Sequence, residues 1–396
     1  MRILLVSDYG TLVGGAEAGL LTLRDGLRER GHDARVFSSS ARPGGARFAD
    51  YECLGTTSSL RTLLQTANPW AAAALRRVLR EFRPDVVHVT MFLTQLSPLI
   101  QPLLRDVPSL YHVVWYRPVC PLGTKLLPDG RACEEPAGRV CWRNDCLPTR
   151  DWAPLMVQMR LWRRWRDCFD IIVANSEATM RQLIQAGIEP VEVVLNGIPI
   201  RPAGAPLVDP PTVAFAGRLV PEKGVDVLLR AFAAAAAELP AARLVIAGDG
   251  GERARLEALA TSLDLGERVS FVGYLPPGEL EHLLERAWVQ AVPSLWAEPF
   301  GIVAIEALMR GRAVVASGAG GPAEIVRPGE TGLLVRSGDV QALAGALLTV
   351  LSDRALAETL GGRGREDALA RFEENRYVTD FVRLYERLTA PGTASR

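Results

Sequence analysis

The chain has 396 residues, of which 48% are hydrophobic and 23% are charged, a balance typical of globular proteins. Lys and Arg together number 45, as do Asp and Glu, so net charge gives no reason to expect a nucleic-acid partner. The length favours two domains, each with a core of its own.

The first segment, MRILLVSDYG, has one basic residue and only a short apolar run from Ile3 to Val6. This run is too short for a signal-peptide core, and no segment approaches the roughly 18 apolar residues of a membrane span. We therefore expect a cytoplasmic protein, with peripheral contact to the inner face of the membrane left open.

Short apolar runs alternate with helical patterns along the whole chain, which predicts parallel sheets with both faces covered. Helices are predicted over residues 17–29 and 71–81, among others. The strands predicted in the first half are 3–7, 35–38, 86–89, 110–114 and 171–175. Those predicted in the second half are 213–216, 244–247, 269–272, 289–292 and 313–316.

The segment NGIPIRPAGAPLVDPPT, residues 196–212, is rich in Pro and Gly and separates the two halves. We predict an α/β protein with a Rossmann-like N-terminal domain over 1–196, a linker over 197–212 and a C-terminal domain over 213–374. The two doubly wound domains would face each other across a cleft, with ligands at the carboxyl ends of strands.

Two glutamates in SLWAEPFGIVAIEALMRGRAVVAS need an explanation, because a carboxylate among aliphatic side chains is unfavourable without a partner. Glu306 lies within the apolar helix, and Glu298 precedes it with seven residues between them. Backbone amides of Gly301, Ile302 and Val303 at the helix start would bind a phosphate. The carboxylate of Glu306 would then accept hydrogen bonds from the vicinal diol of a ribose. The alternative is a salt-bridged Glu306 and an exposed Glu298.

The segment FAGRLVPEKGVDVLLRAF follows the first predicted strand of the second half. Arg218 and Lys223 extend from this strand-to-helix loop, and two cations with free amides at a helix start make an anion site suited to a diphosphate. The alternative is a pair of solvated surface cations. A further Gly-rich turn, VIAGDGGERARLE, is a weak signal by itself.

The motifs GRLVPEKG, GDG, EPFGIVAIEALMRGRAVVAS, GGPAEIV and GETGLLV occur in this order over residues 217–335. Together with GGAE, DVVHV and NGI in the first half, they resemble family 4 of the retaining glycosyltransferases. The resemblance covers nearly the whole chain and implies the GT-B fold of two Rossmann-like domains. It also implies that the C-terminal domain binds the donor, and that a last helix over residues 375–396 returns to the N-terminal domain.

The resemblance assigns roles to residues of the second half. In the family, the Arg and Lys of the first motif bind the donor diphosphate, here Arg218 and Lys223. The second Glu of the E-x7-E pair binds the nucleotide ribose, here Glu306, and the first contacts the transferred sugar, here Glu298. Gly301, Ile302 and Val303 complete the expected donor site.

The resemblance also assigns roles in the first half. The Gly-Gly loop, here Gly14 and Gly15, would lie near the phosphates when the domains close. A histidine after a later strand often supports catalysis, and His112 in SLYHVVWYRP matches it. His88 holds the first position of the family's His-x-His pattern, but Thr90 replaces the second, so His88 is as readily a packed strand residue.

The expected reaction moves a sugar from a nucleotide diphosphate to an acceptor hydroxyl with retention of the anomeric configuration, as in glycan or natural-product biosynthesis. The chain has no Asp-x-Asp pattern for a divalent cation, so we expect no cofactor for catalysis, with cations and helix amides stabilising the leaving group. The family's usual account is front-side attack, with the donor phosphate taking the acceptor proton.

A Cys-rich insertion over about residues 117–150 interrupts the N-terminal domain. The loop is rich in Gly, Pro and charge and would need stapling. A cytoplasmic protein disfavours disulfides, so one structural zinc held by four thiolates is preferred, with free or redox-active thiols as the alternative. The expected ligands are Cys120, Cys133, Cys141 and Cys146.

The segment DWAPLMVQMRLWRRWRDCFD mixes tryptophan with arginine. A basic aromatic helix can lie on an anionic membrane, which would suit a lipid-linked acceptor. We favour the alternative, a helix that packs its tryptophans under the sheet and leaves its arginines in water. The residues concerned are Trp152, Trp162, Trp165, Arg160, Arg163, Arg164 and Arg166.

Other classes of function fit the sequence less well. An oxidoreductase would need Gly-x-Gly-x-x-Gly after the first strand and an acid at the end of the second, but the chain reads DYGTLVGGAE and FSSS there. A nucleotide-sugar-binding protein without catalysis, or another GT-B enzyme such as a phosphorylase, remains an alternative. The nucleotide base, the sugar and the acceptor stay open.

Overall fold

The computed structural model of the protein describes residues 1–12, 14–41 and 44–390. The chain forms two compact units. The N-terminal unit comprises residues 1–128, 133–199 and the segment from residue 374 onward, and the C-terminal unit comprises residues 129–132 and 200–373. The chain passes from one to the other between residues 199 and 200, inside the Pro- and Gly-rich segment.

The N-terminal unit alternates strands with helices. Its strands are β1 (Arg2–Tyr9), β2 (Asp33–Ser39), β3 (Tyr51–Cys53), β4 (Val86–Val89), β5 (Ser109–Val113), β6 (Ile171–Ala174) and β7 (Val191–Val193). Its helices up to this point are α1 (Gly15–Glu29), α2 (Arg61–Thr66), α3 (Pro69–Phe82), α4 (Val140–Arg143), α5 (Thr149–Trp165) and α6 (Glu177–Gln185).

Within the described residues these strands form one sheet in the order β3-β2-β1-β4-β5-β6-β7, and all neighbours are parallel. The central strands are buried along their whole length, as expected for a sheet with helices on both faces. The order reverses between β1 and β4, which is where doubly wound sheets bind their ligands.

The C-terminal unit repeats the alternation. Its strands are β8 (Thr212–Ala216), β9 (Arg243–Ala247), β10 (Val269–Gly273), β11 (Val289–Val292), β12 (Ala313–Ser317) and β13 (Gly332–Val335). Its helices are α7 (Val225–Glu238), α8 (Arg253–Ser262), α9 (Pro277–Leu284), α10 (Ile302–Met309), α11 (Pro322–Ile325), α12 (Val340–Ser352) and α13 (Arg354–Phe372).

The second sheet has the order β10-β9-β8-β11-β12-β13 in the described chain, again with parallel neighbours throughout. This is the strand order of a Rossmann fold, with its reversal between β8 and β11. Helices α7 and α12 pack on each other over one side of the core, where small side chains such as Ala231 and Ala236 are fully buried.

The final helix, α14 (Glu374–Thr389), belongs to the N-terminal unit and packs on α1 and β4. Its apolar side enters the core through Tyr377, Phe381 and Tyr385, which are almost fully buried. Residues 391–396, at the end of the predicted returning segment, lie outside the described residues.

The predicted α/β class with two doubly wound, parallel sheets is confirmed, and each predicted strand coincides with a strand of the structure to within a few residues. The predictions did not include β3, β7 and β13, which are short and only partly buried. In the described residues, no single helix is long and apolar enough to cross a membrane.

Candidate functional site

The reversal of strand order in the C-terminal sheet brings two predicted motifs together. The loop after β8 carries Arg218 and Lys223, and the loop after β11 carries Glu298. The two loops are in direct contact, because the backbone N–H of Leu295 donates to the carbonyl of Glu222 at 2.9 Å. The predicted residues therefore lie where ligands bind in sheets of this type.

Lys223 and Glu298 form the central ion pair of this site. The Nζ of Lys223 lies 2.7 Å from Oε1 of Glu298, and the hydroxyl of Ser294 donates to the same oxygen. The Glu298 side chain is only 7% exposed, so its charge depends on this lysine for compensation. In the part of the chain that the structure describes, Oε2 of Glu298 has no hydrogen-bond partner.

Glu306 is held by a residue that the sequence analysis did not identify. Its Oε1 lies 2.6 Å from Nη2 of Arg201, and both side chains are part-buried. Arg201 is itself fixed, since the guanidinium of Arg365 donates to its carbonyl at 2.9 Å. Within residues 1–12, 14–41 and 44–390, Oε2 of Glu306 accepts no hydrogen bond. The salt-bridged alternative thus describes Glu306 in this structure.

Helix α10 begins at the loop that carries Glu298. Gly301 immediately precedes its first residue, Ile302, and has a φ of 112°, in the left-handed region that favours glycine. The first N–H groups of a helix, here including Ile302 and Val303, have no partners within the helix. The predicted amide donors therefore lie in the first turn of α10, and Glu306 lies one turn further along the same helix.

The motif GGPAEIV packs against the loop that carries Glu298. The N–H of Gly321 donates to the carbonyl of Glu298 at 2.7 Å, and Gly320 forms a β-bridge with Glu298. A Cβ on Gly321 would collide with the backbone of Phe300, so the close approach requires glycine. This packing explains why the motif accompanies the E-x7-E pair.

Arg218 is placed differently from Lys223. Its side chain is 68% exposed and lies 3.7 Å from Glu222, one turn along the same loop. This pair is weak because both its separation and its exposure reduce the attraction. Arg218 is therefore free to reorient toward an anion near the loop.

In the N-terminal unit, Gly14 and Gly15 lie at the start of α1, next to Val13, which lies outside the described residues. The N–H of Gly14 donates to Oε2 of Glu17 at 2.9 Å. Burial raises the pKa of Glu17 to about 7, although the hydrogen bonds to its carboxylate act in the opposite direction. The glycine loop is thus held by a buried carboxyl group.

His112 lies in the core of the N-terminal unit, at the second-last residue of β5. Its side chain is buried, and its ring packs 5.0 Å from that of Phe381 and 5.3 Å from that of His88. Burial lowers the pKa of His112 to about 3. The ring is enclosed by other side chains of the N-terminal unit, and the catalytic role of His112 stays a prediction.

His88 is likewise buried in the core. Its Nδ1 lies 2.6 Å from the hydroxyl of Tyr385, and burial holds its pKa well below the usual value. The alternative of a packed strand residue therefore describes His88.

The four cysteines of the insertion lie near one another in the N-terminal unit. Cys141 on α4 is buried and packs with Leu147. The pKa of Cys146 is raised to about 11, mainly by burial and in part by the neighbouring Cys141, Cys133 and Cys120. Among the described residues, however, no three His, Cys, Asp or Glu side chains are arranged to hold a metal ion. Structural zinc stays a prediction, which metal analysis of reduced protein would test.

The sequence analysis did not identify two residues that contact the glutamates, Arg201 and Ser294. Arg201 and Glu306 are separated by 105 residues, and no local pattern connects them. Ser294 offered a weak signal, since it stands four residues before Glu298, just after a predicted strand.

A cavity of about 690 Å³ lies elsewhere in the C-terminal unit, beside α9. The residues that line it include none of those predicted to bind the donor. Apolar side chains dominate its wall, among them Val208, Val245, Val272, Leu283 and Ala287.

Two family models match the chain over adjoining ranges. The model described as Glycosyltransferase Family 4 matches residues 13–201, and the model described as Glycosyl transferases group 1 matches residues 199–367. Together they span both units and include the glutamates, the lysine and the glycine loop described above.

Relatives with curated descriptions include glycosyltransferases and an exopolysaccharide phosphotransferase. Glycogen synthase of Mycobacterium tuberculosis is 28% identical over 97% of this chain and 94% of its own. A D-inositol 3-phosphate glycosyltransferase of Nocardia farcinica is 38% identical, but over 49% of this chain and 48% of its own. An exopolysaccharide phosphotransferase of Streptomyces coelicolor is 37% identical over 45% of this chain, which spans only 19% of that relative.

Solved structures share the fold over nearly the full chain. Sucrose-phosphate synthase from Thermosynechococcus elongatus has a TM-score of 0.77 at 25% identity, covering 98% of both chains. HepE from Anabaena, in complex with UDP and glucose, has a TM-score of 0.72 at 24% identity, covering 97% of this chain and 99% of its own. Two Rossmann-like units with this likeness define a transferase of the GT-B class. The chain belongs to glycosyltransferase family 4.

Proposed function

We propose that the chain transfers a sugar from a nucleotide-diphosphate sugar to an acceptor hydroxyl, with retention of the anomeric configuration. The observation that carries this proposal is the 2.7 Å contact between Lys223 and Glu298 where the sheet order reverses. An ammonium has three donors, and Glu298 uses one, so two remain for a diphosphate. The open Oε2 of Glu298 is available to a sugar hydroxyl.

The ribose of the donor would bind at Glu306. Its Oε2 is available, whereas its Oε1 is engaged by Arg201 at 2.6 Å. A ribose diol that approaches Glu306 would share the carboxylate with Arg201 or displace it. In either case a diol hydroxyl would give a charge-assisted hydrogen bond to an ionised acid.

In the proposed reaction, the bond between the anomeric carbon and the phosphate oxygen breaks, and the diphosphate leaves with the electron pair. Lys223, Arg218 and the first amides of α10 stabilise the negative charge that develops on the leaving group. The acceptor oxygen attacks the face from which the diphosphate departs, and its proton passes to a phosphate oxygen. Protein cations fixed before the reaction reduce the cost of reorganisation.

We also propose that catalysis needs no metal ion. The sequence has no Asp-x-Asp pattern, and the loop after β8 carries two cations, Arg218 and Lys223, that would neutralise a diphosphate. Turnover should therefore be the same with EDTA as with magnesium. Loss of turnover in EDTA that magnesium restores would overturn this part of the proposal.

UDP-sugars are the first donors to test. The structural similarity to HepE supports that choice. HepE is in complex with UDP and glucose in one crystal structure and with UDP-glucose in another. At 24% identity this likeness shows the fold alone, so GDP- and ADP-sugars belong in the same screen.

The test measures nucleoside diphosphate released from each donor, first with water and then with candidate acceptor glycans. Lys223→Met should lower release about 100- to 1,000-fold, because the lysine compensates both Glu298 and the leaving diphosphate. The matched control is Lys125→Met, since Lys125 is the other lysine of the chain and its ammonium donates to the carbonyl of Glu135 in an exposed hydrogen bond.

The same screen separates the alternatives. A non-catalytic binding protein would show nucleotide-dependent thermal stabilisation, lost in Lys223→Met, but would release no diphosphate. A phosphorylase would form sugar 1-phosphate from a glycan and inorganic phosphate and would ignore nucleotide sugars.

A further inference from the structure

Helices α2 and α5 lie side by side on the N-terminal unit. The hydroxyl of Thr66 donates to the carbonyl of Pro154 at 3.2 Å, and the side-chain amide of Gln158 donates to the carbonyl of Gln65. Side chains that point away from this contact on both helices therefore form one outer surface. We call it the α2–α5 face, and it comprises Leu60, Arg61, Leu63, Val157, Arg160, Arg163 and Arg164.

The inner side of α5 is firmly anchored. Trp162 is fully buried, and its indole N–H donates to the carbonyl of Pro118 at 3.0 Å. Gln158 and Met159 are also buried. The favoured interpretation of a tryptophan packed under the sheet thus describes Trp162, and this anchoring leaves the arginines of α5 on the outside.

Large apolar side chains stand exposed on the α2–α5 face. Leu60 is 61% exposed, Leu63 is 60% exposed and Val157 is 51% exposed. Single exposed hydrophobic residues are ordinary, but several on two packed helices mark an interaction surface.

The charge of this face is strongly one-sided. Helix α5 carries Arg150, Arg160, Arg163 and Arg164 against one acid, Asp151, which pairs with Arg150 at 3.6 Å. No acid occurs between residues 53 and 80, the stretch that contains α2 and Arg61. The chain as a whole has zero net charge, so the excess of arginine over acid is a property of this face and not of the whole protein.

Arginines on the α2–α5 face also lack the partners that arginines have elsewhere. On helices of the C-terminal unit, Arg253 pairs with Glu257 and Arg354 with Glu358, both at 2.9 Å. By contrast, Arg160, Arg163 and Arg164 form no ion pair within residues 1–12, 14–41 and 44–390. Their guanidinium groups are exposed and available to an external anion.

We propose that the α2–α5 face binds the surface of an anionic lipid bilayer. Arginines would contact lipid phosphates, while the leucines and the valine would enter the boundary between headgroups and acyl chains. The exposed aliphatic side chains favour lipid over nucleic acid, because nucleic-acid surfaces use aromatic platforms for stacking. This proposal does not depend on the proposed function.

The test is flotation of the full chain with phosphatidylcholine vesicles, with and without phosphatidylglycerol, at low and high salt. The protein should float with the anionic vesicles and be released by salt. Replacing Arg160, Arg163 and Arg164 by Gln should weaken partitioning roughly fivefold per arginine, about a hundredfold in all. Replacing the same three by Lys should retain most of the binding.

Two further variants complete the design. Leu60→Ser with Leu63→Ser should weaken binding and reduce its resistance to salt, without changing the melting temperature, because both side chains are exposed. The matched control replaces three exposed arginines of the C-terminal unit, Arg230, Arg354 and Arg363, by Gln and should float like the wild type. Lys223→Met should also float normally, which separates this proposal from the proposed function.

The proposal is overturned if the wild type does not float with anionic vesicles, or if the Gln variant of α5 floats as well as the wild type. Equal losses in the α5 variant and the C-terminal control would assign binding to overall charge instead. Binding to single-stranded RNA, with none to vesicles, would assign the face to a different polyanion and would also overturn it.

Discussion

Each unit holds a buried carboxylate where the strand order of its sheet reverses, and the two carboxylates are satisfied to different degrees. In the N-terminal unit, Asp8 at the end of β1 accepts hydrogen bonds on both oxygens from the loop after β4. The donors are the backbone N–H groups of Thr94, Gln95 and Leu96 and the hydroxyl of Thr94. Asp8 therefore has little capacity left for a ligand.

Glu298 in the C-terminal unit also lies at a reversal of strand order, in the loop after β11, but among the described residues only one of its oxygens accepts a hydrogen bond. Its partners are side chains, Lys223 and Ser294, which can move more easily than backbone groups. Asp8 and Glu298 both connect two loops by hydrogen bonds. Asp8 uses both oxygens for this purpose, whereas Glu298 keeps one oxygen as an acceptor for a ligand. Only Glu298 is suited to binding a sugar.

The strongest test of this difference is Lys223→Met. The change removes the positive charge beside a buried Glu298 and from the leaving diphosphate, so kcat should fall about 100- to 1,000-fold. Steady-state release of nucleoside diphosphate measures the effect. Lys125→Met should keep wild-type turnover, and a Lys223→Met enzyme with more than a tenth of wild-type kcat would contradict the assignment.

The next largest effect should come from Asp8→Asn, and it should be on stability. In the wild type, the N–H of Thr94 donates to Oδ2 of Asp8 at 2.8 Å. In the variant, the side-chain amide nitrogen of the asparagine would face this N–H instead of an acceptor. Because two buried donors then face each other without an acceptor, the free energy of unfolding should fall by about 2 kcal/mol. Urea denaturation measures this loss. Glu298→Gln, which keeps one acceptor oxygen and can reorient, should lose less stability but more activity.

Glu306→Gln should weaken nucleotide binding about tenfold to a hundredfold. The reason is that a neutral amide replaces an ionised acceptor of the ribose hydroxyls, and hydrogen bonds to charged groups contribute about 1.5–3 kcal/mol. Calorimetric titration with UDP measures the loss. Inorganic pyrophosphate lacks ribose, so its affinity should be unchanged. Glu238→Gln, at an exposed position on α7, is the matched control.

Arg201→Met should have the opposite and smaller effect, a two- to tenfold gain in UDP affinity. The substitution frees Oε1 of Glu306 from the 2.6 Å contact, so both oxygens can accept from the diol. The same titration measures it. A loss of affinity would instead make Arg201 a residue that positions Glu306.

Much of the fold could be predicted because buried parallel strands read as continuous apolar runs, as in β4 and β12. The donor motifs could also be predicted, since the Arg218–Lys223 loop and the Glu298–Glu306 spacing are local. The partner of Glu306 could not, because Arg201 lies 105 residues away in sequence.

His112 shows a second limit of local patterns. Every residue of β5 is buried, so no polar alternation indicates which face of the strand His112 occupies. Its position is decided by α14, which comes from the far end of the chain and covers that face with Phe381. A resemblance based on sequence position could not supply that contact.

The core position of His112 leads to a prediction of a different kind, a dependence of stability on pH. Its pKa is about 3 in the folded protein because burial disfavours the charged ring, whereas an unfolded histidine titrates near 6.5. Below pH 6.5 the unfolded chain therefore takes up a proton that the folded chain does not. The free energy of unfolding contributed by this group should fall by up to about 1.4 kcal/mol per pH unit between pH 6.5 and 3.

Urea denaturation of wild type and His112→Leu at pH 7.5, 6 and about 5 isolates this contribution from other titrating groups. Glu17 acts in the opposite direction, since its pKa is raised to about 7 and it favours the folded state as pH falls. Because both proteins contain Glu17, its effect cancels, and the leucine variant should gain stability relative to wild type on acidification. His282→Asn, at a side chain that is 77% exposed, should show no such relative gain. If the two unfolding curves instead keep a constant separation from pH 7.5 to 5, His112 becomes protonated in the folded protein and lies within reach of solvent, as a histidine near a substrate would.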